Sequence, residues 1–381
     1  MDLNALPFDA EDMLRGLRPW IECESPTWDA RAVNRMMRLA ARDLAVMGAR
    51  IEPIAGRMGF GDCLRATFPH ASAGRPGILV LGHFDTVHPI GTLDKLPFRR
   101  DGAVCFGPGI VDMKGGNYLA LEAIRQLQRA GIDTPLPVTV LFTSDEEVGS
   151  PSTRDLIEAE AARHAFVLVP EPARENGGVV TGRYAIARFN LEALGKPSHA
   201  GSRPGEGRSA LREMARRLIA VEEMTSDSCT FSVGVIESGR WVNCVPSWCR
   251  AQALSMAKRQ QDLDRGVERM LALSGVEHDV TFTVTRGVTR PVWEPSDGTM
   301  AMYETARGLA RSLGLDLVHA STGGGSDGNF TGANGIATLD GLGAEGKGYH
   351  TLEEHIEVES LSRRGRLMAG LLATLGADKR K

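Results

Sequence analysis

Three short apolar runs constrain this chain more than any other feature: Ile78–Gly82 (ILVLG), Pro137–Thr143 (PVTVLFT) and Ala165–Val169 (AFVLV). Each has the length of a strand, and none shows the apolar–polar alternation of a strand with one wet face. Continuous apolar strands are covered on both faces, as in sheets built from β-α-β units. The segments between and around them supply the covering. Ala30–Met47 places Val33, Met36, Met37, Ala40, Leu44 and Met47 at helical spacing, and Asn117–Arg129 does the same with Leu119, Leu121, Ile124 and Leu127. The expected class is α/β, a mixed, largely parallel sheet with helices on both faces.

The texture changes near Gly182. Tyr184–Leu194 reads as a strand, Gly207–Glu223 as a helix, Phe231–Ile236 and Trp248–Met256 as strands, Asp262–Leu273 as a helix and Val280–Thr285 as a strand. That β-α-β-β-α-β order predicts a ferredoxin-like α+β domain. The α/β texture returns after Pro291, with a helix at Asp297–Leu313, a strand at Ile336–Asp340 and a helix at Glu359–Leu375. The expectation is a larger domain of residues 1–181 and 294–381, interrupted by an inserted domain of residues 182–293. A length of 381 residues suits two domains, and a short basic tail, Lys379–Lys381, follows them.

Composition narrows the function. A formal net charge of −4 argues against a general nucleic-acid surface. No apolar run approaches the length of a membrane span, and MDLNALPFDAEDML is acidic and lacks the apolar core of a signal peptide. The six cysteines form no CxxC pair, so they read as reduced, mostly buried thiols. The chain is expected to be cytoplasmic, with neither nucleic acid nor membrane as a partner.

Polar clusters sit directly after the predicted core strands. Gly82-His83-Phe84-Asp85-Thr86-Val87 follows the first, Asp145-Glu146-Glu147 the second, and Glu171 the third; Gly348-Tyr349-His350 comes shortly after the strand ending at Asp340. A further element, Gly109–Gly116 (GIVDMKGG), precedes a helix. Sites in open α/β sheets lie beyond the carboxyl ends of the strands. Taken singly, each residue has a plainer explanation: His83 a loop histidine, Asp145–Glu147 a solvated acidic turn, Asp112 a helix-start residue, Glu171 a surface loop. Two histidines and several carboxylates converging on one sheet edge are accounted for together by a divalent metal centre. Imidazole and carboxylate suit zinc, and a carboxylate can bridge two ions.

The same residues carry a resemblance. GHFDTV, GPGIVDMKGG, SDEEVGS, GKPSHAG, GGGSDGNF and GYHT occur in the order found in metallopeptidase family 20. Across about Leu14 to Leu375 the chain resembles that family's glutamate carboxypeptidase branch, related to acetylornithine deacetylase and succinyl-diaminopimelate desuccinylase. The resemblance implies a zinc exopeptidase fold and two zinc ions per chain, with cobalt or manganese able to use the same ligands. His83 and Glu171 would bind one ion, Glu147 and His350 the other, and Asp112 both. Glu146 would be the general base, and Asp85 would take the second ring N–H of His83. The resemblance also implies a cis peptide between Asp112 and Met113. In the inserted domain, His199 would stabilise the oxyanion of the partner subunit's site, so a homodimer through that domain is expected. Asn243 and Arg290 would contact substrate, Arg290 through a carboxylate. Gly324 and Gly325, in a glycine run without the Gly-Lys-Ser/Thr of a phosphate loop, would form a carboxylate-binding turn. His88 is expected to be a loop residue.

The implied activity is hydrolysis of the amide bond of N-acyl amino acids or short peptides with a free C-terminal carboxylate. Deacylation of the acetylornithine or succinyl-diaminopimelate kind uses the same site. A non-catalytic binding protein of this fold has no need of Glu146. One departure stands out: the branch carries an Asp-Val-Arg-like segment where this chain has Leu254-Ser255-Met256. A preference for glutamate is therefore not expected to follow from the resemblance.

Overall fold

The computed structural model describes residues 2–377, so the tail at Lys379–Lys381 lies outside the described residues. The main elements in chain order begin with α1 (Ala10–Glu22), α2 (Ala30–Val46), β1 (Arg50–Ile54), β2 (Cys63–Thr67), β3 (Gly77–His83), α3 (Gly115–Arg129), β4 (Val138–Thr143), α4 (Arg154–Ala161) and β5 (His164–Leu168). They continue with β6 (Ala185–Leu194), α5 (Ala210–Glu222), β7 (Cys229–Ser238), β8 (Trp248–Ala257), α6 (Gln260–Leu271), β9 (Val280–Arg290), α7 (Asp297–Ser312), β10 (Ala337–Leu339) and α8 (Val358–Thr374). Local chemistry sets several starts. Asp9 caps α1, Asp29 caps α2, Ser209 caps α5 and Ser296 caps α7, each side chain accepting a first-turn backbone N–H. No helix among the described residues is long and apolar enough to cross a membrane.

The chain forms two compact units. The larger comprises the chain up to Gly182, Glu294–Thr322 and the chain from Ser326 onward. Its six-stranded sheet runs β1-β2-β4-β3-β5-β10. The pairs β4–β3, β3–β5 and β5–β10 are parallel, while β1–β2 and β2–β4 are antiparallel. The mixed, largely parallel α/β sheet follows. Every residue of β3 and β4 is buried. Ile78 and Val80 enter one core with α1, α2, α3, α7 and α8, whereas Leu79 and Leu81 enter another with Ile157, Ala161 and Phe330. Successive side chains of a strand thus supply both faces. Each buried Leu or Ile contributes about 1.5–3 kcal/mol of transfer free energy.

Several elements lie outside those expected from the sequence. The antiparallel strands β1 and β2 and the helices α1 and α4 were not anticipated. Nor was a small four-stranded sheet, Gly346–Lys347, His355–Glu357, Val104–Phe106 and Arg99–Asp101. Arg99–Asp101 is wholly exposed, so it has no apolar period to read. This sheet matters because the loop carrying His350 joins two of its strands.

The smaller unit is Arg183–Trp293 with Gly323–Gly325. Its sheet runs β7-β8-β6-β9 with the short Gly275–Glu277 strand outside β9, and all pairs are antiparallel. Alternate residues of β6 (Ala185, Ala187, Phe189, Leu191, Ala193) are buried in one core with Met214 of α5 and Leu263 of α6. Two helices on one face of a sheet in that order is the ferredoxin-like arrangement. The inclusion of Gly323–Gly325 differs from the expected division. The cause is local: the Arg183 guanidinium donates to the carbonyls of Gly324 (2.8 Å) and Gly325 (3.3 Å).

Candidate metal centre

In the larger unit, strand ends and turns bring together seven of the residues singled out above. His83 ends β3, opposite Thr143 of β4. Glu146 and Glu147 lie in the turn after β4, Glu171 lies just beyond β5, and Asp112 immediately precedes α3. The Asp112–Met113 peptide is cis, as the resemblance implied. Two sets of potential ligand atoms result, His83/Asp112/Glu171 and Asp112/Glu147/His350, each with its atoms within 4.8 Å of one another. Asp112 is common to both. His83 Nε2 lies 3.3 Å from Asp112 Oδ1 and 3.6 Å from Glu171 Oε1; His350 Nε2 lies 3.3 Å from Asp112 Oδ2 and 3.1 Å from Glu147 Oε2.

The tautomer of His83 follows from its surroundings. Nδ1 is 2.9 Å from the backbone carbonyl of Asp85, so it carries the proton and leaves the Nε2 lone pair facing the carboxylates. That nitrogen is buried and has no hydrogen-bond partner. A buried lone pair aimed at carboxylate oxygens is repulsive unless a proton or a metal cation lies between them, and two imidazoles converging with three carboxylates are a donor set that fits divalent metal. The role expected for Asp85 differs in detail. Its carboxylate Oδ1 is 3.4 Å from His83 Nδ1, farther than its own carbonyl. The carboxylate also accepts the backbone N–H groups of Glu146 (3.1 Å) and Glu147 (3.2 Å) and the hydroxyl of Thr27 (2.8 Å). Asp85 therefore ties the His83 strand to the turn bearing Glu146.

The uncompensated charges perturb one another. Burial pushes the Glu147 carboxyl up, and the Asp112 charge adds to it, giving a pKa of about 8. Burial and then the charges of Asp112 and Glu146 likewise raise Glu171 well above the carboxylate range. Hydrogen bonds to Asp112 and Glu147 take His350 up to about 11. Burial lowers the pKa of His83, but Asp112, Asp85 and Glu146 outweigh it and the net shift is strongly upward. Burial opposes ionisation of Asp112, yet the two imidazoles hold its carboxyl below its ordinary value. Without metal the site is thus a proton store.

Close packing fixes the frame. A Cβ on Gly116 would stand 1.8 Å from the carbonyl oxygen of Pro170, so only glycine lets α3 approach the Glu171 segment. Asn117 donates to the His83 carbonyl at 2.7 Å. Glu354, not among the residues expected at the site, is 1% exposed and accepts the backbone N–H groups of Gly109, Val111 and Asp112. The pairing of His88 with Glu354 at 2.6 Å was likewise not expected. Placed four residues after His350, Glu354 had no signal apart from being a carboxylate in an irregular segment.

The remaining candidates lie in the smaller unit. His199 and Asn243 are exposed on neighbouring loops, with Ala200 N donating to Asn243 O at 2.9 Å. His199 Nδ1 accepts the N–H groups of Gly201 and Ser202, both at 3.1 Å, which leaves the proton on Nε2. Arg290 is buried at the end of β9, in register with Ile186 of β6, which in turn pairs with Met256 of β8. Gly325 packs on this row: a Cβ there would lie 2.8 Å from both Arg290 Cδ and Ile186 Cδ1. The carbonyls of Gly324 and Gly325 are taken up by Arg183.

The chain matches the sequence profile of Peptidase family M20/M25/M40 over residues 79–374. It is 33% identical to carboxypeptidase G2 of Pseudomonas sp. (strain RS-16) over 316 residues, 80% of this chain and 75% of that protein. It is 25% identical to a succinyl-diaminopimelate desuccinylase of Hydrogenovibrio crunogenus over 366 residues, 90% of this chain and 94% of that one. Among solved structures, a metallo-carboxypeptidase of Sulfolobus solfataricus shares the fold, with a TM-score of 0.76 at 15% identity over 96% of this chain and 99% of the other. On the strength of the profile match and the 33% identity, the chain belongs to the peptidase family M20/M25/M40 and is a metal-dependent hydrolase.

Proposed function

We propose that the protein is a two-zinc carboxypeptidase-like hydrolase, cleaving the amide bond of N-acyl amino acids or short peptides that end in a free carboxylate. The observation that carries this reading is the pair of ligand sets sharing Asp112, with Glu146 Oε2 4.0 Å from His83 Nε2. His83 and Glu171 would hold one ion, Glu147 and His350 the other, and Asp112 would serve both. Bound there, the ions supply Lewis acidity and lower the pKa of a water toward about 7. Glu146 takes the proton of the attacking water and returns it to the leaving nitrogen. Asp85, through the backbone of Glu146 and Glu147, keeps the base and its neighbouring ligand in one orientation. Arg290 binds the substrate carboxylate, and the turn at Gly324 and Gly325 shapes that end, with Asn243 as a further contact. The apolar Ile186 and Met256 share a register row with Arg290, which favours an apolar C-terminal side chain over an acidic one.

His199 belongs to the same proposal. With Nδ1 accepting two N–H groups, Nε2–H is a fixed donor suited to a developing oxyanion, supplied from a second copy of the chain. A homodimer through the smaller unit is supported by its edge strand β7, where Val235 and Ile236 are about half exposed beside the exposed Ile219 of α5. Apolar edge strands left open invite pairing.

A deacylase reading is favoured by the desuccinylase of Hydrogenovibrio crunogenus and an acetylornithine deacetylase of Myxococcus xanthus, 30% identical over 47% of this chain. It uses the same residues. Metal analysis after gentle purification, combined with a screen of N-acyl amino acids and dipeptides, tests both. About two ions per chain and turnover of a carboxylate-terminated amide are expected. A fully active metal-free protein overturns the two-metal reading; turnover confined to acetylornithine- or succinyl-type substrates decides for the deacylase.

A further inference from the structure

Glu354 lies on the strand-joining loop that also carries His350, and it is nearly inaccessible. Its Oε1 accepts the backbone N–H groups of Val111 (2.9 Å) and Asp112 (3.1 Å). Its Oε2 accepts Gly109 N–H at 2.9 Å and lies 2.6 Å from His88 Nε2. The backbone carbonyl of Glu354 also accepts Gly107 N–H, at 3.2 Å. Four donors thus converge on one carboxylate, three of them from the turn that ends in Asp112. His88 sits five residues after His83 on the loop leaving β3. Three of the segments that carry the proposed ligands, those of His83, Asp112 and His350, therefore meet at a side chain that none of the ligand atoms touches.

We propose that Glu354, oriented by His88, is a positioning residue that fixes the shared ligand Asp112 relative to His83 and His350 and thereby sets the affinity of both metal positions. The inference rests on the two-metal reading above. A ligand common to two ions tolerates little displacement, because a shift toward one lengthens its bond to the other. The turn of residues 107–112 has no sheet partner to hold it, so its amides need another acceptor. A carboxylate taking three of them, charge-assisted and shielded from water, supplies it. The His88 N–H saturates the second oxygen and ties the loop leaving β3 to the same point. Groups behind metal ligands typically change affinity about 10–100-fold when altered.

The test measures zinc affinity by competition with a chromophoric chelator, and the visible absorption of the cobalt-substituted protein, for wild type and variants. Glu354→Gln preserves shape but turns an NH2 group onto one pair of donors. It is expected to weaken zinc binding about 10–100-fold and to alter the cobalt spectrum at saturation. His88→Phe removes one donor of the four and is expected to weaken binding less, while His88→Gln, which can still donate, is expected to restore most of the loss. A purely structural role would lower the melting temperature yet leave the affinity of the folded fraction and the cobalt spectrum unmoved, and that result overturns the inference. If Glu354→Gln does not fold, the two His88 variants decide: wild-type affinity and spectrum in His88→Phe refute the positioning role. A wild-type chain that takes up no metal overturns the parent reading, whereas a wild type binding two ions with variants that match it overturns this inference alone.

Discussion

Loading the metal-free protein with zinc should release several protons, and the number discriminates a prearranged site from a chance cluster. At pH 7 the stripped site holds one proton on His350, taken up to about 11 by its hydrogen bonds to Asp112 and Glu147, and one on His83, held well above 6.5 by its carboxylate neighbours. Glu147, pushed by burial and by Asp112 to about 8, is mostly protonated. Glu171 is raised too, by burial and by the charges of Asp112 and Glu146. The protons on His350, His83 and Glu147 must leave before these side chains can ligate, so about two to three protons should appear per fully loaded chain. Exposed residues of the same types would release only about half a proton, because histidines near 6.5 are about a quarter protonated and carboxylates are ionised. The sign is fixed by which state holds protons. The free site binds them and the loaded site does not, so apparent zinc affinity rises with pH, by up to about 10³ per unit near neutrality. The slope should flatten above about 8 as Glu147 ionises by itself. Calorimetric titration in buffers of different ionisation enthalpy counts the protons directly. Release of fewer than about one proton per loaded chain, or an affinity flat between pH 6 and 7.5, would refute the coupled site. Glu147→Gln should lower the count by about one.

Three further outcomes are expected. Glu146→Gln should retain its metals while turnover falls about 10²–10⁴-fold, measured by metal analysis and steady-state rates on one protein preparation; near-normal turnover removes Glu146 from the chemistry. Substrates ending in leucine or phenylalanine should be hydrolysed at least as well as glutamyl ones, because Ile186, in register with Arg290, and Met256 beyond it stand where an acidic side chain would need a cation; a clear glutamyl preference in kcat/KM contradicts that. Mixing inactive His199→Ala with inactive Glu146→Gln under subunit exchange should restore activity, since a mixed dimer holds one intact site; persistent inactivity despite proven exchange rules out a shared site, whose lost donor would otherwise cost about 10²–10³ in rate.

The elements that were legible are those whose burial is periodic in the chain. The continuous runs of β3 and β4 announce strands covered on two faces, and Ile78/Leu79 and Val80/Leu81 divide between two cores as that pattern requires. The helical spacing of α2, α3 and α8 foretold helices whose ends fall within two residues of those expected. The metal-binding candidates were legible because each follows such a strand or precedes such a helix, in motifs whose order recurs across a family. What the chain by itself determined was therefore the identity of the side chains and the strand or helix end that presents each one.

Tertiary structure decided how those ends are held together. Glu354 reads as one more carboxylate in the irregular stretch after His350, and its importance arises from contacts with residues more than 240 positions away. His88 reads as a loop residue just past the first motif, and its acceptor, Glu354, stands 266 residues onward. The Asp85 carboxylate, 3.4 Å from the His83 imidazole, also serves two backbone amides 61 and 62 residues onward. Gly323–Gly325 join the smaller unit through an arginine some 140 residues earlier. In each case the deciding force is the need of a buried polar group for a partner. Unlike apolar periodicity, that need leaves no local pattern, because the partner that satisfies it is chosen by the fold.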